Sequence, residues 1–298
     1  MKNEMISMGL RDEGSSGRER AYSMLSERSI AWSQALLNRH SRRRYDEESA
    51  SDEALAALDR VCQGFRPYPD ARAVLVRTPS VDIFTGAVGS YGKVVGAPHV
   101  LAFIANESSP ASALHLGYTG EAVVLEATAQ GLDTCWVAGF FDRGAASQLV
   151  ELAPEERIAA VSPVGHTAVK RSSTERTMSA LARSKQRKPL RTIAKDASLE
   201  WPQWALGAIE AARVAPSAMN RQPWRFRLED GSLVLSMDSN RQIPVVRKEL
   251  DCGIAMLHAE VAAHAHGVQG RWVEAREGRD LARFTPVVET AQSTADSE

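Results

Sequence analysis

The sequence has almost no net charge, few cysteines and no long apolar run, and each shortage narrows the possible functions. Its 36 basic and 37 acidic residues leave a net charge of −1 over 298 residues, so an extended nucleic-acid surface is not expected. The cysteines are three in number and widely spaced, which excludes a disulfide framework or zinc site and favours a reducing compartment. The longest apolar run, residues 94–105, is interrupted by glycine, proline and histidine and is too short for a membrane span. We therefore expect a cytoplasmic protein that binds neither nucleic acid nor membranes.

Between polar ends, the chain alternates between helical patterns and short apolar strands. The polar segments 1–28 and 288–298 are expected to be disordered tails. Ser51 is the expected N-cap of a helix, and Asp230-Gly231 is the expected turn of a hairpin. Helices are predicted at 31–38, 51–61, 111–130, 201–213 and 250–266, and strands at 73–76, 99–105, 134–137, 157–164, 224–228 and 233–237. The length allows one large domain or two smaller ones.

A faint internal repeat organises these elements. The segment 131–137, which contains Gly-Leu and then Trp-Val, recurs at 267–273, each time directly after a long Ala-rich helix. An earlier segment, 54–59, is echoed by 205–210 in the same order. These echoes suggest a duplication with unequal halves, although Ala-rich helices also resemble one another by chance because they share a composition. The predicted halves are residues 29–190 and residues 191–287.

The most informative segment is the loop Ala-Pro-Ser-Ala-Met-Asn-Arg-Gln-Pro-Trp at 215–224. Its two prolines fix φ and prevent the preceding helix from continuing, so the segment must form an ordered turn. A surface connection that ends in a core tryptophan is the alternative interpretation. The loop resembles the flavin-contacting Pro-Ser-Ala-x-Asn-x-Gln-Pro-Trp segment of the nitroreductase family, whose members have an FMN-binding α+β fold formed across a two-fold interface. The resemblance implies that Pro216, Ser217, Asn220 and Gln222 line the isoalloxazine and ribityl edge of FMN.

A basic run at 39–45 carries the second resemblance. Such a run is often only a solvated face, but arginines with a hydroxyl among them also suit a terminal phosphate. The run is similar to the Arg-Arg-Ser-x-Arg-x-Phe/Tyr signature of nitroreductases, which implies that Arg39, Ser41 and Arg43 contact FMN. His40 departs from the family pattern, because a second arginine often occupies this position.

Two further segments resemble flavin contacts of the family. Residues 185–190 read as an exposed linker when taken alone, but they are similar to a Lys-x-Arg-Lys-Pro-Leu segment in the single-chain branch, which implies that Lys185 and Arg187 reach the flavin phosphate. The Pro-Val-Gly segment at 163–165 could be a tight strand exit. The resemblance implies instead that the backbone N–H of Gly165 faces flavin N5.

The two predicted halves carry complementary parts of one site. The first half has no second copy of the 215–224 loop, and the second half has no Arg-x-Ser-x-Arg run. The resemblance therefore implies an α+β, nitroreductase-like fold in which two unequal repeats form an intrachain pseudo-dimer with one FMN site. A duplicated chain of this kind is expected to be a monomer.

The leading hypothesis is an FMN-dependent oxidoreductase that uses NADH or NADPH to reduce a small electron-poor acceptor, such as a nitroaromatic compound or a quinone. The flavin performs the chemistry in such enzymes, which agrees with the lack of a convincing Ser/His/Asp or paired-carboxylate motif. No Gly-x-Gly-x-x-Gly motif is present either, so the nicotinamide is expected to stack transiently on the flavin. The alternatives are an FMN storage or sensing protein with little or no turnover, and a scaffold with a degenerate site.

Overall fold

The computed structural model describes residues 2–84, 94–167, 186–242, 246–275 and 277–287. Its helices are α1 (Lys2–Asn38), α2 (Asp52–Gly64), α3 (Ser112–Ala129), α4 (Arg143–Ser147), α5 (Leu190–Ile193), α6 (Gln203–Val214) and α7 (Lys248–Ala265), with a 3₁₀ turn at Ala218–Asn220. Its strands are β1 (Ala71–Arg77), β2 (His99–Asn106), β3 (Asp133–Thr134), β4 (Glu156–Gly165), β5 (Trp224–Glu229), β6 (Ser232–Met237), β7 (Gly270–Glu274) and β8 (Asp280–Pro286). The α+β prediction is confirmed.

Two antiparallel sheets of four strands share one strand order. The first has the order β1-β2-β4-β3 and the second has the order β5-β6-β8-β7. In each sheet a long helix follows the second strand, and a glycine with positive φ ends that helix, Gly131 at 77° and Gly267 at 76°. The shared topology matches the repeat seen in the sequence, and a common origin of the two halves stays a prediction.

The long helices α3 and α7 cross at two glycines. A Cβ atom on Gly117 would overlap the carbonyl oxygen of Leu250, and one on Gly253 would overlap the carbonyl oxygen of Leu114. The two backbones therefore touch, and only glycine allows this approach. Nearly every side chain of α3 is buried, so this helix lies in the core with no solvent-facing side.

Helix α1 corrects the prediction of an N-terminal tail over residues 1–28. The helix begins at Lys2, and Ala21 and Leu25 are buried within the same core as Trp32. The indole Nε1 of Trp32 donates a hydrogen bond to Glu126 at 2.8 Å. Apolar residues spaced four and seven positions apart form a helical stripe that the polar composition of the segment conceals. Residues 17–28 therefore belong to the folded body, whereas the predicted tail at 288–298 lies outside the described residues.

Several local predictions are confirmed by the structure. The Ser51 hydroxyl accepts a hydrogen bond from the backbone N–H of Ala54 at 3.2 Å, as an N-cap does. The hairpin β5–β6 turns at Asp230 and Gly231, both with positive φ. Within the described part of the chain, no helix combines the length and the apolar character needed to cross a membrane.

Candidate functional site

The segment that follows α1 joins the edge of the first sheet. Ser41 forms a parallel bridge with Thr134 of β3, and the backbone N–H of Arg42 donates to the Thr134 carbonyl at 2.9 Å. Three residues later, the backbone N–H of Tyr45 donates to the carbonyl of Val95 at 2.9 Å. Arg39 lies at the end of α1, where its backbone N–H donates to the Ala35 carbonyl at 2.8 Å, whereas Ser41 and Arg43 lie in a segment whose backbone is bonded to β3 and to Val95.

Gly165 lies at the same sheet edge. It pairs with Asp133, and the preceding Val164 pairs with Thr134. Because neighbouring strands are about 4.8 Å apart, Ser41 and the end of β4 lie roughly 10 Å from each other across β3. A Cβ atom on Gly165 would lie 2.7 Å from Pro98 and 3.3 Å from the ring of Tyr45, so close packing alone is sufficient to require glycine here.

The loop that connects α6 to β5 is held in a strained conformation. Met219, Asn220 and Gln222 have φ values of 53°, 55° and 46°, a region that residues other than glycine rarely occupy. Asp251 of α7 anchors the loop, accepting hydrogen bonds from the Ala218 N–H at 3.1 Å and from Arg221 Nε at 2.6 Å. Burial raises the pKa of Asp251 to about 6, although Arg221 opposes this shift. At neutral pH the carboxylate is therefore ionised and binds the loop to α7.

The basic segment before α5 docks onto this loop. Arg187 donates to Asn220 Oδ1 at 2.8 Å, and Asn220 Nδ2 donates to the Gln186 carbonyl at 2.8 Å. The backbone N–H of Lys188 donates to Gln222 Oε1 at 2.8 Å, and the Gln222 amide is buried. Three of the predicted residues, Arg187, Asn220 and Gln222, are thus brought together from segments more than thirty positions apart.

Arg39 links the segment at the sheet edge to Arg187 and the strained loop through electrostatics. Its side chain is buried, and its Nε atom lies 3.9 Å from Glu121 without a hydrogen-bond partner among the described residues. Burial lowers the pKa of Arg39, and the charge of Glu121 opposes this effect. Burial, together with the nearby charges of Arg39 and Arg213, lowers the pKa of Arg187 to about 10. Guanidinium groups from two separate segments therefore repel each other across a shared space, which an anion would occupy favourably.

The remaining predicted residues divide between these two groups. Ser41, Arg43 and Gly165 lie at the sheet edge, where the Arg43 carbonyl accepts a hydrogen bond from Val95 at 2.9 Å. Ser217 belongs to the strained loop, where its hydroxyl accepts from the Gln222 N–H at 3.0 Å. Pro216 is partly exposed at the start of that loop. Lys185 lies outside the described residues. Contact of each of these residues with a flavin stays a prediction.

Sequence reasoning missed the buried network behind Arg39. Glu121 has no exposed surface, its carboxylate accepts a hydrogen bond from Trp136 Nε1 at 2.6 Å, and it lies 2.9 Å from His258 Nε2. The other ring nitrogen of His258 lies 3.1 Å from the Ala211 carbonyl, which can only accept, so that nitrogen carries a proton. The available signal was a pair of glutamates, Glu121 and Glu126, in a helix that is otherwise largely apolar.

Comparisons with known proteins identify the family of the chain. The family model described as "Putative TM nitroreductase" matches residues 32–263. A "putative nitroreductase" of Thermotoga maritima is 20% identical, with 85% of this chain and 92% of that chain covered and a TM-score of 0.55. An FMN-dependent nitroreductase of Clostridium difficile is 15% identical over 46% of this chain and 88% of its own, with a TM-score of 0.35. A Bacteroides fragilis nitroreductase with bound FMN is 14% identical over 47% of this chain and 92% of its own, with a TM-score of 0.36.

A search of curated proteins finds no match to this sequence. The family model, in contrast, spans well over half of the chain, and it contains both the arginine run at 39–43 and the strained loop at 217–222. The chain therefore belongs to the nitroreductase family.

Proposed function

We propose that this protein is an oxidoreductase that holds one FMN between the sheet edge at 39–43 and the strained loop at 217–222, and that uses NADH or NADPH to reduce a nitroaromatic compound or a quinone. Family membership supports the oxidoreductase class. The observation that supports FMN binding is the pair formed by Arg39 and Arg187. Both are at least partly buried, and burial lowers the pKa of each.

The phosphate of FMN fits this pair by charge and by shape. A phosphate monoester carries close to two negative charges at neutral pH and accepts hydrogen bonds through three oxygens. It would supply the missing partner of Arg39 Nε and would reduce the repulsion between the two guanidinium groups. Arg39, Arg187 and Asn220 are thus the residues that would hold the cofactor.

Once bound, FMN would supply the electron-transfer chemistry, and the chain would supply binding and orientation. Asp251 would keep the loop at 217–222 in its strained conformation, so that the amides of Asn220 and Gln222 are already positioned before the ligand arrives. Trp136 and His258 would hold Glu121, and through it the side chain of Arg39. No described side chain needs to act as an acid or base in this proposal.

The visible absorption spectrum of the purified protein tests this proposal. We expect an oxidised-flavin spectrum that bleaches when NADPH or NADH is added without oxygen and that returns when a quinone or nitroaromatic acceptor is added. A flavin spectrum that neither nucleotide bleaches would favour storage of FMN over turnover. A protein that takes up no FMN would overturn the proposal.

The shared site can be tested with two separate substitutions, Arg43→Gln and Asn220→Ala. If the flavin lies between the sheet edge and the loop, each variant should bind FMN more weakly than the unmodified protein. Normal FMN binding by either variant would contradict a site built from both segments. Size-exclusion chromatography with light scattering, together with flavin absorbance, should give a monomer with one FMN per chain.

A further inference from the structure

A cavity of about 590 Å³ lies where the first sheet meets the N-terminal end of α7. We call it the arginine cavity, and define it by the lining residues Glu107, Ser112, Arg143, Arg157, Arg247 and Leu250. Its volume falls within the range typical of small-molecule sites. None of these residues belongs to the segments 39–43, 186–188 or 217–222 that form the proposed flavin site.

Basic residues outnumber acidic residues in the lining of the arginine cavity. Three arginines line it, and Glu107 is the one acidic residue among its lining residues. Arg157 Nε lies 3.7 Å from the Glu107 carboxylate, and Arg247 lies 3.3 Å from Glu249 just outside the cavity. Among the residues that the structure describes, no carboxylate lies within ion-pair distance of Arg143. The cavity therefore carries an excess of positive charge that favours an anion.

Arg143 is held in place by neutral groups. One of its terminal nitrogens donates to the Ile158 carbonyl at 2.6 Å and the other donates to the Ala138 carbonyl at 3.1 Å. Its guanidinium carbon also lies 4.8 Å from the centre of the Phe141 ring. A guanidinium has five N–H donors, so these bonds fix the group while leaving donors for a ligand.

The backbone of α3 adds to this preference for an anion. Ser112 begins this helix of 18 residues, and the preceding Ala111 has no side-chain oxygen that could cap it. The backbone N–H of Ser112 donates to the Ser109 carbonyl at 3.2 Å, so the helix end contributes the positive end of its dipole to the cavity wall. This feature supports the three arginines, which carry the argument.

Two residues that line the arginine cavity are close neighbours along the chain of residues at the proposed flavin site. Leu250, which lines the cavity, directly precedes Asp251, the anchor of the strained loop. Ala138, which also lines the cavity, lies two residues after Trp136, whose indole bonds to the carboxylate of Glu121 beside Arg39. A ligand with one end in the arginine cavity could therefore extend toward the flavin.

We propose that the arginine cavity binds a phosphate group of an organic phosphate, with Arg143 and Arg247 as its principal donors. Glu107 and Glu249 are paired with Arg157 and Arg247, so the excess positive charge is that of Arg143, which attracts the doubly charged phosphate. The assignment of this phosphate to a substrate of the flavin rests on the proposed function, whereas phosphate binding itself does not. The 2′-phosphate of NADPH is one source, and a phosphorylated acceptor is the other.

Titration calorimetry with pyrophosphate and with adenosine 2′,5′-bisphosphate tests the site in protein saturated with FMN, which keeps Arg39 and Arg187 occupied. The variants are Arg143→Gln and Arg247→Gln, and the exposed Arg60→Gln of α2 is a control with the same change of charge. We expect each cavity variant to bind the probes about tenfold more weakly, as the loss of one charge-assisted contact predicts. The control should bind them as the unmodified protein does.

Unchanged affinity in both cavity variants, or no binding by the unmodified protein at millimolar probe, would overturn the proposal. Among the described residues, the Arg247 side chain bonds only to Glu249, so Arg247→Gln remains informative if Arg143→Gln fails to fold. If the cavity variants have a higher KM for NADPH and an unchanged KM for NADH, the bound phosphate is the 2′-phosphate of NADPH. Weaker probe binding with both KM values unchanged would identify a phosphorylated acceptor. If the protein takes up no FMN, the proposed function fails, and the same titration on flavin-free variants still decides the phosphate site.

Discussion

Removal of the charge of Arg187 should weaken FMN binding strongly and should cost the flavin-free protein little. Its pKa of about 10, against an ordinary value of 12.5, corresponds to about 3 kcal/mol of unfavourable interaction with the charged form. Because Arg187 is only partly buried, solvent screening reduces this to about 1–2 kcal/mol. Arg187→Gln relieves that interaction but loses hydrogen bonds to Asn220 and to the Val214 carbonyl, each worth about 1 kcal/mol. The two effects nearly cancel in the flavin-free protein.

The same substitution has no such compensation when FMN is bound. A charge-assisted hydrogen bond to the phosphate is worth about 1.5–3 kcal/mol, so the Kd for FMN should rise about 10-fold to 100-fold. Flavin fluorescence titration gives this Kd, and urea unfolding of flavin-free protein gives the stability. Arg60→Gln is the matched control. A double variant with Arg39→Gln should be less stable without FMN than the two single effects add up to, because each single variant already removes the repulsion that the double variant removes only once.

Two results would refute this reasoning. An unchanged Kd for FMN in Arg187→Gln would show that the phosphate does not bind there. A fall of about 3–5 kcal/mol in the unfolding free energy of the flavin-free variant, the usual result of breaking a buried ion pair, would show that Arg187 has a structural role.

Three further predictions concern stability. Burial raises the pKa of Glu260 to about 8 from an ordinary 4.5. Its contribution to the free energy of unfolding is therefore complete below about pH 4.5 and is lost as the pH rises to about 8, with a total loss of at most about 5 kcal/mol. Glu260→Gln should flatten this pH dependence in urea unfolding, and an unaltered slope would contradict the assignment. Gly117→Ala should lower the unfolding free energy by about 3 kcal/mol, because the new methyl group overlaps α7. The same change at exposed Gly144 should have a much smaller effect. Equal losses in the two variants would argue against the close crossing of α3 and α7. Met219→Gly should raise the free energy of unfolding by up to about 1 kcal/mol, because it relieves a positive φ at a residue whose side chain is 60% exposed. The thermal midpoint should rise accordingly. A lower midpoint would show that the Met219 side chain makes stabilising contacts.

The sequence predicted those features that depend on neighbours along the chain. The Ser51 cap, the Asp230-Gly231 turn and the glycine at the end of α3 each follow from the backbone needs of a few adjacent residues. The part of α1 at residues 17–28 was missed because composition concealed its periodicity, since Ala21 and Leu25 lie among charged residues. The predicted strand at 134–137 is paired as a ladder only at its start, with a single further bridge at Val137.

The candidate site also combines residues that the sequence predicted with residues that it did not predict. The resemblance carried Arg187, Asn220 and Gln222, and the structure brings them into contact. No local pattern could have paired Glu121 with His258, which are 137 positions apart and meet only because α3 and α7 cross. Strand β8 was also missed, because its alternation is weak and only Ala282 and Phe284 are buried.

The contact between Arg187 and the strained loop has a consequence for how such a site can change over generations. In a symmetric dimer of identical chains, every substitution appears at both copies of a site. Here Arg39 and Asn220 are encoded once each in one polypeptide. If the two halves descend from a duplication, as the sequence predicts, each half can lose residues that the other half retains, because the matching positions are encoded separately. Arg187 and Asn220 also cannot be separated by dilution, because both belong to one chain.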